Sequence, residues 1–450
     1  MELKNNLKYI AILSLSFFYS SYIYLNQSTR IREIASTDHA GLVAVVFASF
    51  SMAAGILIFT IISKKKNVGI IRNFYLLFLI VSFILYVLSV FNSNTYVVAI
   101  CLCVSSAFAT GGFGVGYLFS IMALNVNAKY FGRVFTIGYA IGSALVFLVS
   151  RINMESNFGL FSTIVAAIAF FFSATFAYNS FKSGEGEAPA YEENLRGLSI
   201  KKYFFFLSIL VLFAATLTAL TQDFVGFYSF EQTKTWFGDS RIYYSIGLIL
   251  AGLIYDIKKE IFYICLPVSF IGQLIALLLL NQSISIDAVS AVSYLFIGFF
   301  SLFRAVGFIE MGYRNKKYLY LIACGMFFER IVEGVVGIAE RAVLSNVFVV
   351  SIIAAALLIG FMWIYMFNFH KTISNQKSEE KDMLKELSIE YGLSGQEEKV
   401  LGYLVQDYTK KEIAEEMVLS VNTIKVHVTN IYKKTGLGKS ELKAIYYKKG

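Results

Sequence analysis

Charge is scarce in this chain. Asp, Glu, Lys and Arg make up 15% of its 450 residues, whereas soluble globular domains carry about 25%. That deficit excludes a water-soluble enzyme over most of the length. Only 2 prolines are present, which excludes a proline-rich linker protein, and the apolar content excludes disorder. The 4 cysteines (Cys101, Cys103, Cys265 and Cys324) all fall inside apolar runs. They make neither a disulfide framework nor a zinc site and read as reduced packing residues. With 3 histidines there is no His cluster, and no Ser/His/Asp constellation is found. No catalytic residue, cofactor or metal is expected.

What is abundant is apolar surface: 57% of residues are hydrophobic and 16% aromatic, with mean hydropathy +0.65. Apolar runs of about 20 residues occur near 7–25, 40–62, 69–91, 96–124, 133–150, 158–180, 203–221, 242–257, 261–280, 286–309, 318–340 and 346–368. Continuous runs, rather than alternating ones, select helices over a barrel. The first run lacks a small-residue cleavage site and leads into polar Asn26–Arg30, so it reads as an uncleaved span. Alternate loops hold 15 lysines and arginines against 6. By the positive-inside rule, twelve spans then leave both ends in the cytoplasm. Richness in Lys, Ile, Asn and Phe points to an AT-rich bacterial genome, hence to a bacterial inner membrane.

The one long hydrophilic connection, Phe181 to Lys202, splits the spans six and six. Together with Gly252-Leu253-Ile254-Tyr255-Asp256-Ile257-Lys258-Lys259, this layout resembles the major facilitator superfamily, whose loops carry G-x-x-x-D-(R/K). Gly55–Lys66, the equivalent place in the first half, has lysines but no aspartate. Glycines at 111, 112, 114, 116, 132, 138 and 142 read as close-approach positions between helices.

Ionisable residues at membrane depth are costly and informative. Glu329, Arg330, Glu333, Gly337 and Glu340 fall within an arc of about 100° on one helix, and Arg304 lies in the preceding span. Two readings stay open. One is an ion-pair network, Arg304 or Arg330 with Glu329 or Glu333, locking two helices. The other is a polar ligand or proton site in a central cavity, which Gln222, Asp223 and Gln273 would also line.

Composition changes after Phe369. Residues 371–392 are polar and read as a linker, with Met383, Leu387 and Tyr391 spaced for a short helix. Beyond it, Ser394 with Glu397 and Thr409 with Glu412 are capping boxes, Ser420 caps a third helix through Lys434, and Gly436 ends it. A fourth helix is expected from Ser440. The tight turn Met417–Ser420 makes a helix-turn-helix. From Ser420 onward there are 7 lysines against 1 acid, while residues 393–419 hold 3 lysines against 6 acids. That one-sided distribution suits phosphate contact.

Leu393–Leu401, Lys411-Glu412-Ile413-Ala414 and Ser420–Ile431 resemble the LuxR-type helix-turn-helix family (L-T-x-x-E-x-E-V-L, K-E-I-A, S-x-x-T-V-K-x-H-x-x-N-I). The resemblance implies a four-helix domain that binds double-stranded promoter DNA as a homodimer on inverted half-sites. It places Lys425, Val426 and Thr429 at base edges, and Lys411, Asn422, Thr423 and Lys433 on phosphates. His427 reads as a packed helix residue. The chain departs from the family at Asp407 (usually glycine), at Thr435 (usually leucine) and near Gly438-Lys439-Ser440, one residue short.

The expected fold is all-α. A polytopic bundle of about twelve transmembrane helices (1–370) is followed by a linker (371–392) and a helix-turn-helix domain (393–450). The expected function is a membrane-bound one-component transcription regulator, embedded in lipid and controlled by a small-molecule effector. The alternative is a secondary transporter with a regulatory tail.

Overall fold

A computed structural model describes residues 2–35, 38–65, 68–109, 111–150, 152, 158–180, 194–195, 198–233, 240–280, 285–342, 347–365, 383–406, 408–439, 441–442 and 445–446. The side chains of Gln222, Asp223 and Glu340 lie outside the described residues, as do Asp407, Ser440 and most of the central connection. The chain divides into two compact units, residues 1–188 with 204–364, and residues 189–203 with 365–450.

The first unit is helical: α1 (Glu2–Ala35), α2 (Asp38–Lys65), α3 (Val68–Val90), α4 (Thr95–Phe108), α5 (Phe113–Asn125), α6 (Phe131–Ser150), α7 (Phe158–Ser180), α8 (Ile200–Thr233), α9 (Ser240–Ile257), α10 (Lys259–Leu279), α11 (Ile286–Arg314), α12 (Cys324–Ala342) and α13 (Val347–Ile364). With α4 and α5 taken as one broken span, a helix stands at each of the twelve apolar runs. Among the described residues, 7 helices are long and apolar enough to cross a membrane. Three shorter apolar helices, Ile242–Ile257, Cys265–Leu279 and Phe348–Ile364, add to them. α1 and α12 carry the most polar sequences of the unit. On α3, Leu77, Ile80, Ile84 and Leu88 are 46–59% exposed at three- and four-residue spacing. A continuous apolar stripe of that kind is expected where lipid, not water, is the solvent.

Two of the spans are not simple helices. The fourth, a single candidate span over Thr95–Asn125, is interrupted between α4 and α5, where Gly112 stands before Phe113 at φ −111°, ψ −114°. The paired glycines Gly111-Gly112 disfavour helix there, and the backbones approach closely, since a Cβ on either Gly55 or Gly112 would overlap the Ala107 carbonyl. Nor does the eleventh span begin as α-helix at 318; residues Lys316–Leu321 form a 3-10 helix before α12. The only strand pairing among the described residues is a two-residue antiparallel pair, Asn194–Leu195 with Leu198–Ser199.

α1 runs through the interior and its polar side chains find partners on three neighbours. Ser16 meets Ser173 of α7 at 2.7 Å, Tyr19 meets Ser82 of α3 at 2.9 Å, and Gln27 bonds Ser89 of α3 and Ser105 of α4 at 3.1 and 2.8 Å. The two halves meet most closely along α6 and α9. Gly132 and Gly252 face each other there; a Cβ on Gly132 would lie 2.6 Å from the Gly252 carbonyl. Asp256 closes that seam. Its fully buried carboxylate accepts the Gly132 and Arg133 amides (2.8 and 2.9 Å) and Arg133 Nε at 2.9 Å. The motif aspartate therefore caps α6 and neutralises an arginine of the other half. Nearby on α10, Lys259 pairs with the buried Glu310 of α11.

Replacing Asp256 by Ala would leave two helix-start amides and a guanidinium without their acceptor, at a cost of about 3 kcal/mol. The thermal midpoint in detergent should fall clearly for Asp256→Ala. It should fall at least as far for Gly252→Leu, which wedges the seam apart.

Candidate nucleic-acid interface and intramembrane charge cluster

The tail contains α14 (described part, residues 383–390), α15 (Gly395–Val405), α16 (Lys410–Met417) and α17 (Val421–Thr435), with helical residues again at 441–442 and 445–446. Each helix is too short to persist alone, so caps and a shared core hold them. Ser394 Oγ accepts the Glu397 amide at 3.3 Å, and Glu397 Oε2 accepts the Ser394 amide at 2.8 Å. Thr409 and Glu412 repeat the reciprocal pair at 3.3 and 2.8 Å. Ser420 Oγ accepts the Thr423 amide at 3.0 Å. Gly436 ends α17 at φ +67°.

The core joins Val400, Leu401, Leu404, Ile413, Ala414, Ile424, Val428, Ile431, Leu442 and Tyr446. Leu387 of α14 is 1% exposed and belongs to the same cluster. The packed unit thus takes in residues from the stretch read as linker; residues 371–382 lie outside the described part. Thr435, placed where leucine is usual, returns its hydroxyl to the Ile431 carbonyl at 2.8 Å. That bond removes most of the penalty of a polar group there.

α17 divides cleanly by rotation. Ile424, Val428 and Ile431 face the core, while Asn422, Lys425, Val426, Thr429 and Lys433 share the exposed face, with Val426 58% exposed. Thr423 is exposed at the first turn, its hydroxyl 2.8 Å from Ser420 Oγ. Thr429 donates to the Lys425 carbonyl at 2.9 Å. Its hydroxyl oxygen can still accept. Lys411 sits on α16 in a loose 3.9 Å pair with Glu415, both groups well exposed, an attachment weak enough to yield to a phosphate. All seven residues singled out for DNA contact are therefore solvent-exposed, and His427 is half-buried on α17.

Lys434, one of the seven basic residues of the C-terminal stretch, does something else. Its ammonium donates to the Gly392 carbonyl at 2.9 Å and to Glu397 Oε2 at 2.7 Å, tying the end of α17 to the start of α15. Counting charge alone could not separate it from Lys433. Turning about 100° per residue carries it to the flank of the face that Lys433 shares with Lys425, Val426 and Thr429, though it stays exposed. A second feature without a sequence signal is Val418. It turns the chain between α16 and α17 at φ 54°, ψ 44°, and it is 89% exposed.

In the membrane unit the structure brings the four singled-out charges together. Arg304 of α11 pairs with Glu329 of α12, and Arg330 pairs with Glu333 at 2.5 Å. Ser49 of α2 donates to Glu333 Oε2 at 3.0 Å, which ties in the first half. Glycine sets these distances: a Cβ on Gly325 would overlap the Arg304 carbonyl, and one on Gly334 would meet the Phe50 ring at 2.7 Å. Gln273 bonds Thr221 of α8 at 3.2 Å instead. Among the described residues no group of three His, Cys, Asp or Glu could hold a metal ion, and all four cysteines are free.

Two predictions concern the tail. Burial raises the Glu397 pKa, but the Lys434 hydrogen bond and the Ser394 amide outweigh it, so it lies below the usual glutamate range. The stabilisation is complete above the unfolded-state value, about 4.3, and is lost as pH falls through the lowered folded value. Glu397→Gln should thus lower tail stability at neutral pH and flatten its acid limb in a pH series of denaturant melts. Val418→Gly should do the opposite, raising stability by about 1 kcal/mol, because a β-branched residue is strained in the left-handed region.

No curated protein matches the chain by sequence. Residues 392–445 match the family model described as "Bacterial regulatory proteins, luxR family". Among solved structures, the chain is similar to the human organic anion transporter MFSD10 (TM-score 0.53, 12% identity, covering 80% of this chain and 98% of that one). It is also similar to the nucleoside transporter NupG (TM-score 0.52, 16% identity, covering 81% and 100%). At such identities the likeness speaks to fold. This is a membrane protein in which a bundle with the fold of major facilitator superfamily transporters is joined to a C-terminal LuxR-type helix-turn-helix domain.

Proposed function

We propose that this protein is a membrane-bound, one-component transcription regulator of a bacterial inner membrane, with both ends in the cytoplasm. The observation that carries the reading is the exposed face of α17. Basic, hydroxyl and aliphatic groups stand there on a helix opened by its own cap and turned out from a closed core, inside the segment that matches the luxR model.

In this reading Lys425, Val426 and Thr429 meet base edges in the major groove. A lysine can donate to guanine O6 or N7, and Val426 and the Thr429 methyl can meet a thymine methyl. Lys411, Asn422, Thr423 and Lys433 hold phosphates and set the register. Two copies bind inverted half-sites about 34 Å apart, one helical turn. The domain division proposed is a membrane sensor over 1–370, a linker from 371, and the DNA-binding domain to 450. A ligand bound in the bundle shifts tail spacing or dimerisation, and so must bind two states of the protein unequally.

The second reading, a secondary transporter with a regulatory tail, draws on the transporter-type fold of the bundle. Under it, Glu333→Gln should abolish uptake of a solute that the unmodified protein carries into cells. A sensor should show no such uptake.

Crosslinking of the full-length protein to chromatin in its native cell tests the proposal. Discrete sites should appear and vanish in a Lys425→Glu, Thr429→Ala double mutant; absence of sites in both, with the protein intact in the membrane, rejects it. Once an operator is found, Lys433→Gln should weaken binding evenly across sequences and reduce the salt slope by about 1. Val426→Ala should instead cost affinity only at operators with a thymine at the facing position.

A further inference from the structure

The four membrane charges make a site whose chemistry can be read further. This step rests on the proposed sensing of a ligand in the bundle and names the class of that ligand. Arg304 is 7% exposed in its side chain, and its Nε has no hydrogen-bond partner. Arg330 Nε and Glu329 Oε2 are likewise buried without one. Two N–H donors and one carboxylate oxygen of the same cluster are thus unsatisfied where water is scarce. Each such group costs about 1–3 kcal/mol, more for a charged one.

The cluster also faces away from the apolar side of its helix. On α12, Val335 and Ile338 are each 54% exposed on the side that faces lipid. Glu329, Arg330 and Glu333 lie on the opposite side of the helix and retain 16%, 20% and 31% side-chain exposure. Helical rotation separates the two groups by roughly 160°, so the charged face is turned away from the apolar exposed one. Tyr139 and Tyr244 stand within electrostatic reach of Arg304, and Tyr24 and Tyr139 within reach of Arg330. Tyr244 is itself fixed by a 3.1 Å bond to Ser301.

Charge balance then selects the ligand. Among the described side chains, the cluster's two arginines and two glutamates sum to zero, and each is already paired. A net anion or cation joining them would leave one charge uncompensated in a low-dielectric interior, which is strongly unfavourable. A molecule carrying both signs leaves none. Its carboxylate can take the arginine donors, and its ammonium can take Glu329 Oε2 and share Glu333. We infer that the Arg304–Glu329–Arg330–Glu333 cluster binds a small zwitterion with a carboxylate and an ammonium group, of the amino-acid class.

The test uses the full-length protein in nanodiscs. Thermal midpoints are measured with each standard α-amino acid and with short unbranched ω-amino acids. For every compound that acts, the methyl ester (a net cation) and the N-acetyl derivative (a net anion) follow. At least one free amino acid should raise the midpoint by several degrees near saturation, and both of its derivatives should bind at least about tenfold more weakly. That comparison needs no variant. Ser49→Ala, which leaves both ion pairs whole, should weaken the effect severalfold.

The inference is overturned if no amino acid shifts the midpoint, or if an ester or N-acetyl form acts as well as its parent. Chromatin occupancy separates it from the regulatory reading. An amino acid that binds without changing occupancy keeps this site and rejects ligand control. Occupancy that responds only to a molecule without both charges keeps ligand control and rejects this site.

Discussion

A polar group buried between helices of the membrane unit cannot rely on solvent for a partner, and the Asp256 carboxylate shows what that demands. It accepts three N–H groups from the start of α6 while it sits on α9, so one buried anion satisfies a helix end and a cation of the opposite half. The glycines at 132 and 252 make room for it, since side chains there would hold the backbones apart. The same demand explains the other interior bonds. Lys259 meets Glu310, Arg304 meets Glu329, and the serines and tyrosines along α1, α3, α4 and α7 bond one another. Apolar packing supplies the bulk of this bundle, but polar pairing decides which helices face each other.

The tail obeys the reverse condition. Water satisfies any exposed group there, so order depends on local devices and a small core. Three helices of 11, 8 and 15 residues persist because each start is capped and each inner face enters one cluster. Neighbouring lysines then separate by role. Lys433 stays on the exposed face of α17, while Lys434 reaches back to Glu397 and Gly392. The clean outer face of α17 exists because another basic residue holds its far end in place.

How much of this was legible follows from what each signal measures. Apolar runs locate spans well, because length and hydropathy are what a bilayer selects. They did not mark the break between α4 and α5: hydropathy stays high there, and its local sign, the Gly111-Gly112 pair, also serves close approach, a Cβ on Gly112 overlapping the Ala107 carbonyl. Helical periodicity put Glu329, Arg330 and Glu333 on one face, and the structure pairs them with Arg304 and with each other. It could not supply Ser49, an ordinary serine in an apolar helix whose partner lies 284 residues away. In the tail, caps are short-range patterns and were readable residue by residue. Leu387 in the core, the Lys434 tie and the left-handed Val418 depend on three-dimensional closure and carry no local signature.

Glu333 has a position that bears on how a bundle of this fold could act as a sensor. It is held at once by Arg330 on its own helix and by Ser49 on the first half, so its bonds depend on how the two halves lie. Under the proposed regulatory reading, a molecule that competes for Glu333 or Arg330 would change the relative stability of two arrangements of the halves, rather than merely fill space. The shift it can impose is bounded by its unequal affinity for them. Reversing a 1:99 preference needs a ratio of about ten thousand, roughly 5.5 kcal/mol. That is within reach of a few charge-assisted hydrogen bonds made in one arrangement and broken in the other. α13 follows α12 directly and the tail follows α13, so the helix that carries the cluster is one span from the segment whose spacing on DNA it would control.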